Sequence, residues 1–303
     1  MKKSLLVLGL AVAAFTSCSN DEVLDINKNT NIGFDAFVNK GTRNVAETTT
    51  LSKFFVYGYY GTTNVFNGTE VTKDGLIWKY NGGNHTEWTS GNYYFGAYAN
   101  GAAADALSNV SFASGKLTIE GYTVNNANDL VAAVKNVNNS GFTNPTVDLT
   151  FQHMLSKVCF ELTNASSEAL TMKVTDITFD VNTVGTCEYD GTDVSWKEFA
   201  SPTALTYPGT TANIAQGGVH ATKENLVIPG QTIPTVDITV TFYNSSDTEI
   251  DTKTFNDVSL AVAGDVWKAG YAYKYTAEIK PTMPTIEFNA SIEDWKPGTE
   301  VLD

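Results

Sequence analysis

Apolar and polar residues alternate with a period of two along almost the whole chain, and that pattern excludes most folds at once. Ile32, Phe34, Ala36 and Val38 alternate with Gly33, Asp35 and Phe37. Val158, Phe160 and Leu162 alternate with Lys157, Cys159 and Glu161. Val236, Ile238, Val240 and Phe242 alternate with Asp237, Thr239 and Thr241, and Tyr271, Tyr273 and Tyr275 with Ala272, Lys274 and Thr276. Successive side chains of a strand point to opposite faces, so this spacing predicts half-buried β-strands. Phe54 to Tyr60 and Tyr93 to Tyr98 add β-branched and aromatic runs. Clusters such as Asn81-Gly82-Gly83-Asn84 and Ser245-Ser246-Asp247 separate the runs as turns do. Helical spacing is almost absent, the best candidate being one short turn or helix near Asn128 to Lys135. The expected class is all-β, built as β-sandwiches. A length of 303 residues suits two of them in tandem, with a boundary just after the polar stretch Asn138 to Pro145. The expected division is 18–150 and 151–303.

The N-terminus reads as an export signal. Lys2 and Lys3 are followed by the apolar stretch Ser4 to Phe15 and then by the small residues Thr16 and Ser17 before Cys18. That stretch is shorter than the roughly 20 residues a membrane-spanning helix needs. Phe15-Thr16-Ser17-Cys18 resembles a lipobox, at which residues 1–17 are removed and Cys18 is acylated. Ser19-Asn20-Asp21-Glu22 resembles the acidic tether that routes Bacteroidetes lipoproteins to the cell surface. The remaining cysteines, Cys159 and Cys187, fall on opposite faces by alternation, which argues against a disulfide, although a bulge near Gly185 could reverse the second register.

A formal charge of −14 repels nucleic acid, whose binding needs Lys and Arg on phosphates. His85, His153 and His220 sit in no metal-ligand spacing, and there is no nucleophile elbow, P-loop or C-x-x-C pair. His153 reads as a structural histidine. No metal, cofactor or catalytic residue is expected, and the chain does not read as an enzyme, although a carboxylate pair of glycosidase type among its many acids would escape notice. Trp78, Trp88, Tyr93 and Tyr94 could stack on sugars but read better as core.

Of 19 basic residues, 18 are lysine; Arg43 is the sole arginine. It lies just after the first alternating run, in the polar connection Lys40-Gly41-Thr42-Arg43-Asn44, and exposed polar segments are where proteolysis occurs. Ile32 to Val38 followed by Thr42-Arg43, the segment Val147 to Val158 with its Phe-x-His, Trp267 to Tyr275 with its Trp-x-x-Gly, and Ile292-Glu293-Asp294-Trp295 together resemble the fimbrillin family of type V pili in Bacteroidales. Asn44 departs from the alanine often found there. The resemblance implies two transthyretin-like sandwiches and a lipoprotein held in the outer membrane through Cys18. It implies cleavage between Arg43 and Asn44 by an arginine-specific surface protease, with loss of 18–43 and the first strand. It also implies polymerisation with other pilin subunits by donor-strand exchange, the donor expected at 285–302. The location implied is the cell surface and its fimbriae, with a host protein or glycan as a possible ligand. The competing reading is a monomeric surface lipoprotein that binds glycans.

Overall fold

The computed structural model describes residues 31–38, 51–80, 86–101, 106–141, 144–167, 169–260 and 265–295. Regular structure among them consists of strands, with no helix. One seven-stranded sheet runs in the order β1 (Phe34–Val38), β9 (Val147–His153), β8 (Leu130–Asn139), β5 (Gly91–Asn100), β2 (Lys53–Tyr60), β3 (Thr63–Asp74) and β4 (Ile77–Tyr80). It curls until its two ends meet: the rings of Phe34 in β1 and Tyr80 in β4 lie 6.0 Å apart. Its concave face buries Ile32, Phe34, Ala36, Phe54, Val56, Phe95, Leu149 and Phe151 in one cluster. The short helix considered at 128–135 is instead the start of β8. Leu130, Val131, Ala132 and Ala133 are all buried, because both faces of this central strand are covered, so the period-two signal vanishes and an apolar run remains.

The convex face of the same sheet carries Phe55, Tyr57, Tyr98 and Ala132, and a second layer covers it. That layer is β6 (Val110–Ala113), β7 (Lys116–Thr123) and the far half of the hairpin β12 (Ile177–Tyr189) with β13 (Val194–Tyr207). Contact is close enough that a Cβ on Gly96 would overlap the ring of Phe112. The near half of the hairpin belongs to a third layer, with β11 (Thr171–Val174), β16 (Thr235–Tyr243) and β17 (Glu249–Ser259). This layer faces a sheet of β14 (Val219–Ala221), β15 (Asn225–Val227), β10 (Ser156–Asn164), β18 (Tyr271–Ile279) and β19 (Asn289–Asp294). Phe160, Leu162, Phe179, Val240, Phe242, Trp267 and Tyr275 fill the space between them.

A bulge in β12 around Gly185 lets one strand serve two cores. Before it Ile177, Phe179 and Val181 face the C-terminal core; after it Cys187 and Tyr189 face the middle cluster. Cys187 is buried, Cys159 is half-buried, and both thiols are free. The expected division at residue 150 falls inside β9, and β7 pairs with β12 across it. β13 is a long strand whose described pairing is to β12 alone. Its exposed edge is interrupted by Pro202 and by left-handed backbone at Glu198 and Ser201 (φ 55° for both), devices that discourage further pairing.

Candidate functional site

β1 is a five-residue strand at the edge of its sheet, parallel to β9, in the register Phe34 with Val147, Ala36 with Leu149 and Val38 with Phe151. Its entry is pinned by two backbone bonds: Ile32 N–H to Thr86 O at 2.8 Å, and Val147 N–H to Gly33 O at 2.8 Å. The inward side chains are deeply placed. Ile32 and Ala36 are fully buried and Phe34 is 5 % exposed. Phe34 has four aromatic neighbours, Phe66 at 5.2 Å, Phe95 at 5.8 Å, Tyr80 at 6.0 Å and Phe54 at 6.1 Å between centroids, all edge-on. Burial lifts the phenol pKa of Tyr80 above its ordinary value, which extends the neutral form of that wall of the cage further into alkaline conditions. Without β1, the edge of β9 would expose unpaired backbone groups, and this aromatic cage would open to water.

The last described strand belongs to the other half of the molecule. β19 is the last strand of its sheet, antiparallel to β18, with Tyr273 opposite Ile292 and Tyr275 opposite Ala290. Ile286 is buried, Phe288 and Ala290 are partly buried, and Ile292 is 44 % exposed. Phe288 meets Phe160 at 5.5 Å and Tyr275 at 6.1 Å. Just beyond the strand, Trp295 is 8 % exposed and stacks flat on His153, with ring centroids 4.0 Å apart and planes 8° apart. Lys157 Nζ lies 4.6 Å from the Trp295 ring and pairs with Glu224 at 2.7 Å. His153 Nδ1 is 2.6 Å from Asp129 Oδ2, and Trp295 N–H donates to Gly270 O at 2.8 Å. Trp295, the last described residue, is thus clasped where β9 meets β10.

The structural role read for His153 agrees with this setting, but its partner Trp295 was not visible from local spacing. Of the aromatic group, Trp88 and Tyr93 are core, Trp78 packs against core, and Tyr94 is 38 % exposed. Cys18, Arg43 and Asn44 lie outside the described residues, as do 296–302 of the expected donor. Among the described residues no group of three or more His, Cys, Asp or Glu could hold a metal ion, and none forms a helix long and apolar enough to cross a membrane.

The architecture is that of an all-β protein, and its fold is shared with solved structures from Bacteroides. A fimbrial protein of Bacteroides vulgatus is similar at a TM-score of 0.61 and 16 % identity, covering 88 % of this chain and 100 % of that one. A candidate cell-adhesion protein of Bacteroides uniformis is similar at 0.53 and 20 % identity, with coverage of 88 % and 100 %. A second, from Bacteroides ovatus, gives 0.51 and 16 %, with coverage of 89 % and 99 %. No curated protein gives a significant match. The fimbrillin-like profile matches residues 19–295, and the chain belongs to that family.

Proposed function

We propose that the chain is a structural and adhesive subunit of a cell-surface fimbria, exported as a lipoprotein acylated at Cys18. An arginine-specific protease cuts between Arg43 and Asn44, and the trimmed subunits assemble by donor-strand exchange. The observation that carries this reading is β1 itself. It is short, lies at an edge, and yet with the residues leading into it supplies Ile32, Phe34 and Ala36 to a core. The sole arginine follows five residues after its end. Loss of such a strand leaves an acceptor groove that a strand from another chain can fill. The two-sandwich organisation, with the C-terminal segment as donor, belongs to the same reading.

The test compares parent and Arg43→Ala proteins, each treated with an arginine-specific protease and run unboiled on a gel. The parent should be cut once and form a ladder; the variant should remain uncut and monomeric, with an unchanged fold. A parent that is cleanly cut and forms no ladder would return the protein to a monomeric, glycan-binding surface lipoprotein.

A further inference from the structure

Of the aromatic residues able to stack on sugars, Tyr94 is the one that no core cluster takes up; 38 % of it is exposed. Tyr93 and Phe95 on either side turn into the concave face of the first sheet, so alternation puts Tyr94 on the convex face with Gly96 and Tyr98. The second layer covers only part of that face. Phe112 lies over Gly96 and meets the half-buried Tyr59 at 6.1 Å between centroids. A Cβ on Gly191 would lie 3.3 Å from the Cβ of Val134, so the turn between β12 and β13 comes down on β8 there. Beyond this rim the sheet runs on as a ledge. Tyr59 and Tyr94 pair across it, with Asn64 opposite Tyr59 and Asn136 opposite Tyr94. Two residues further out Asn92 faces Asn138, and all four asparagines are exposed. We propose that this ledge binds a neutral glycan, one sugar ring stacking on Tyr94 while Asn92, Asn136 and Asn138 hold its hydroxyls and those of the next sugar.

The residue types fit that ligand. A tyrosine ring offers an electron-rich face to the polarised C–H groups on the flat side of a pyranose. An asparagine amide carries a donor and an acceptor side by side, which suits neighbouring hydroxyls that do both. Part of the arrangement is set in advance. Asn138 Nδ2 donates to Asn92 Oδ1 at 2.6 Å, which leaves the Asn92 NH2 group and the Asn138 carbonyl oxygen for a ligand. β5 is held between β2 and β8, and β8 between β5 and β9, so these groups need little ordering on binding. Charge selects the class of sugar. The turn at the rim carries Asp190 and Asp193, and Asp190 Oδ1 accepts from the backbone N–H groups of Asp193 and Thr192, both at 2.9 Å. These bonds hold its carboxyl below the usual carboxylate range. With a formal charge of −14 on the chain, that rim repels sulfated or carboxylated sugars. Lys135 falls on the other face by alternation, opposite Phe95. One ledge binds weakly, but a repeating subunit presents it many times over, and avidity follows.

The ledge rests on the adhesive part of the proposed function, and the untrimmed protein tests it apart from assembly. Isotope-labelled protein is titrated with cellotetraose, a β-linked galactose tetrasaccharide and N-acetylchitotetraose, followed by NMR, with a heparin tetrasaccharide as the anionic arm. At least one neutral probe should shift the side-chain amide signals of Asn92, Asn136 and Asn138, each assigned by its Asn→Asp variant, and heparin should shift none. Tyr94→Ala should weaken that binding about tenfold, while Tyr94→Phe, which keeps the ring, should stay within about twofold of the parent. These side chains are exposed, so the variants should fold as the parent does. Binding by no neutral probe, binding that leaves these amides unmoved, or equal binding by Tyr94→Ala overturns the ledge and leaves the ladder test at Arg43 untouched. Heparin binding in place of the neutral probes overturns it as well. A parent that binds through the ledge, is cut after Arg43 and forms no ladder keeps the site and overturns the fimbrial subunit instead.

Discussion

Trp295 has more resting on it than any other single side chain near the C-terminus. It joins a histidine from β9, a lysine from β10 and a backbone carbonyl at Gly270, all contributed from distant parts of the chain. Replacement by alanine removes the stack on His153 and the ring beneath Lys157. It should cost about 3–5 kcal/mol, the usual range for a buried aromatic truncated to alanine. Urea unfolding of the two proteins measures it, and Trp295→Phe should recover part of the loss. Buried acids give a second expectation at this scale. Burial raises the phenols of Tyr98 and Tyr275 to about 12 and the thiol of Cys159 to about 11. An unfolded chain releases such protons near about pH 8.5 for a thiol and about 10 for a phenol. The folded state therefore holds protons that the unfolded state has lost, and stability falls as pH rises through that window. Their contribution is fully present below about pH 8.5. Urea midpoints at pH 8 and pH 11 should differ, with the lower value at pH 11; equal midpoints would contradict the shifts.

Among the elements, β1 shows how a strand of five residues can matter out of proportion to its length. Phe34 sits in the aromatic cage, so Phe34→Ala in the untrimmed protein should cost about 3–5 kcal/mol. The penalty should vanish after trimming, because under the proposed cleavage residue 34 leaves with the propeptide. Comparing denaturation of both proteins before and after protease treatment checks both halves of the expectation. β1 was legible in the sequence because one of its faces meets core and the other does not: Ile32, Phe34 and Ala36 alternate with less apolar residues. β8 was not legible, because Leu130 to Ala133 are covered on both faces and resemble a helix as much as a strand. The two cysteines differ in burial as alternation expects, Cys187 buried and Cys159 half-buried, and the bulge at Gly185 lies between two cores rather than between core and solvent. The clasp at Trp295 left no local signal at all. A contact between β9 and Trp295 depends on how the layers are stacked, and alternation carries no information about that. On the outward faces, hydroxyl pairs such as Thr239 with Thr254 at 3.1 Å and Thr241 with Thr252 at 3.0 Å tie neighbouring strands. Threonines at such positions mark exposed sheet as well as strand propensity.

Over the whole molecule, the middle cluster decides whether the two ends behave as separate bodies. It buries Phe55 and Tyr98 from the first sheet, Leu117 and Ile119 from β7, Cys187 and Trp196 from the β12–β13 hairpin, and Leu226 and Ile228 near β15. Trp196 is central to it: its indole N–H donates to Met154 O at 2.8 Å, its ring meets Tyr122 at 5.9 Å, and Gly185 leaves room for it. The hairpin carrying Trp196 also supplies Ile177, Phe179 and Tyr207 to the C-terminal core. Opening either end therefore strips apolar surface from a layer that the other end uses. Coupling of this kind favours one cooperative transition over two. The untrimmed protein should give a single calorimetric peak whose calorimetric and van't Hoff enthalpies agree. With all five tryptophans retained, fluorine-NMR signals from a fluorinated ring at Phe95, in the first core, and at Phe242, in the C-terminal core, should be lost at the same urea midpoint. Trp196→Ala should weaken the shared layer without touching either core, and should separate the two midpoints. Midpoints already distinct in the parent protein would mean that the halves are energetically independent and that the shared hairpin joins them without coupling them.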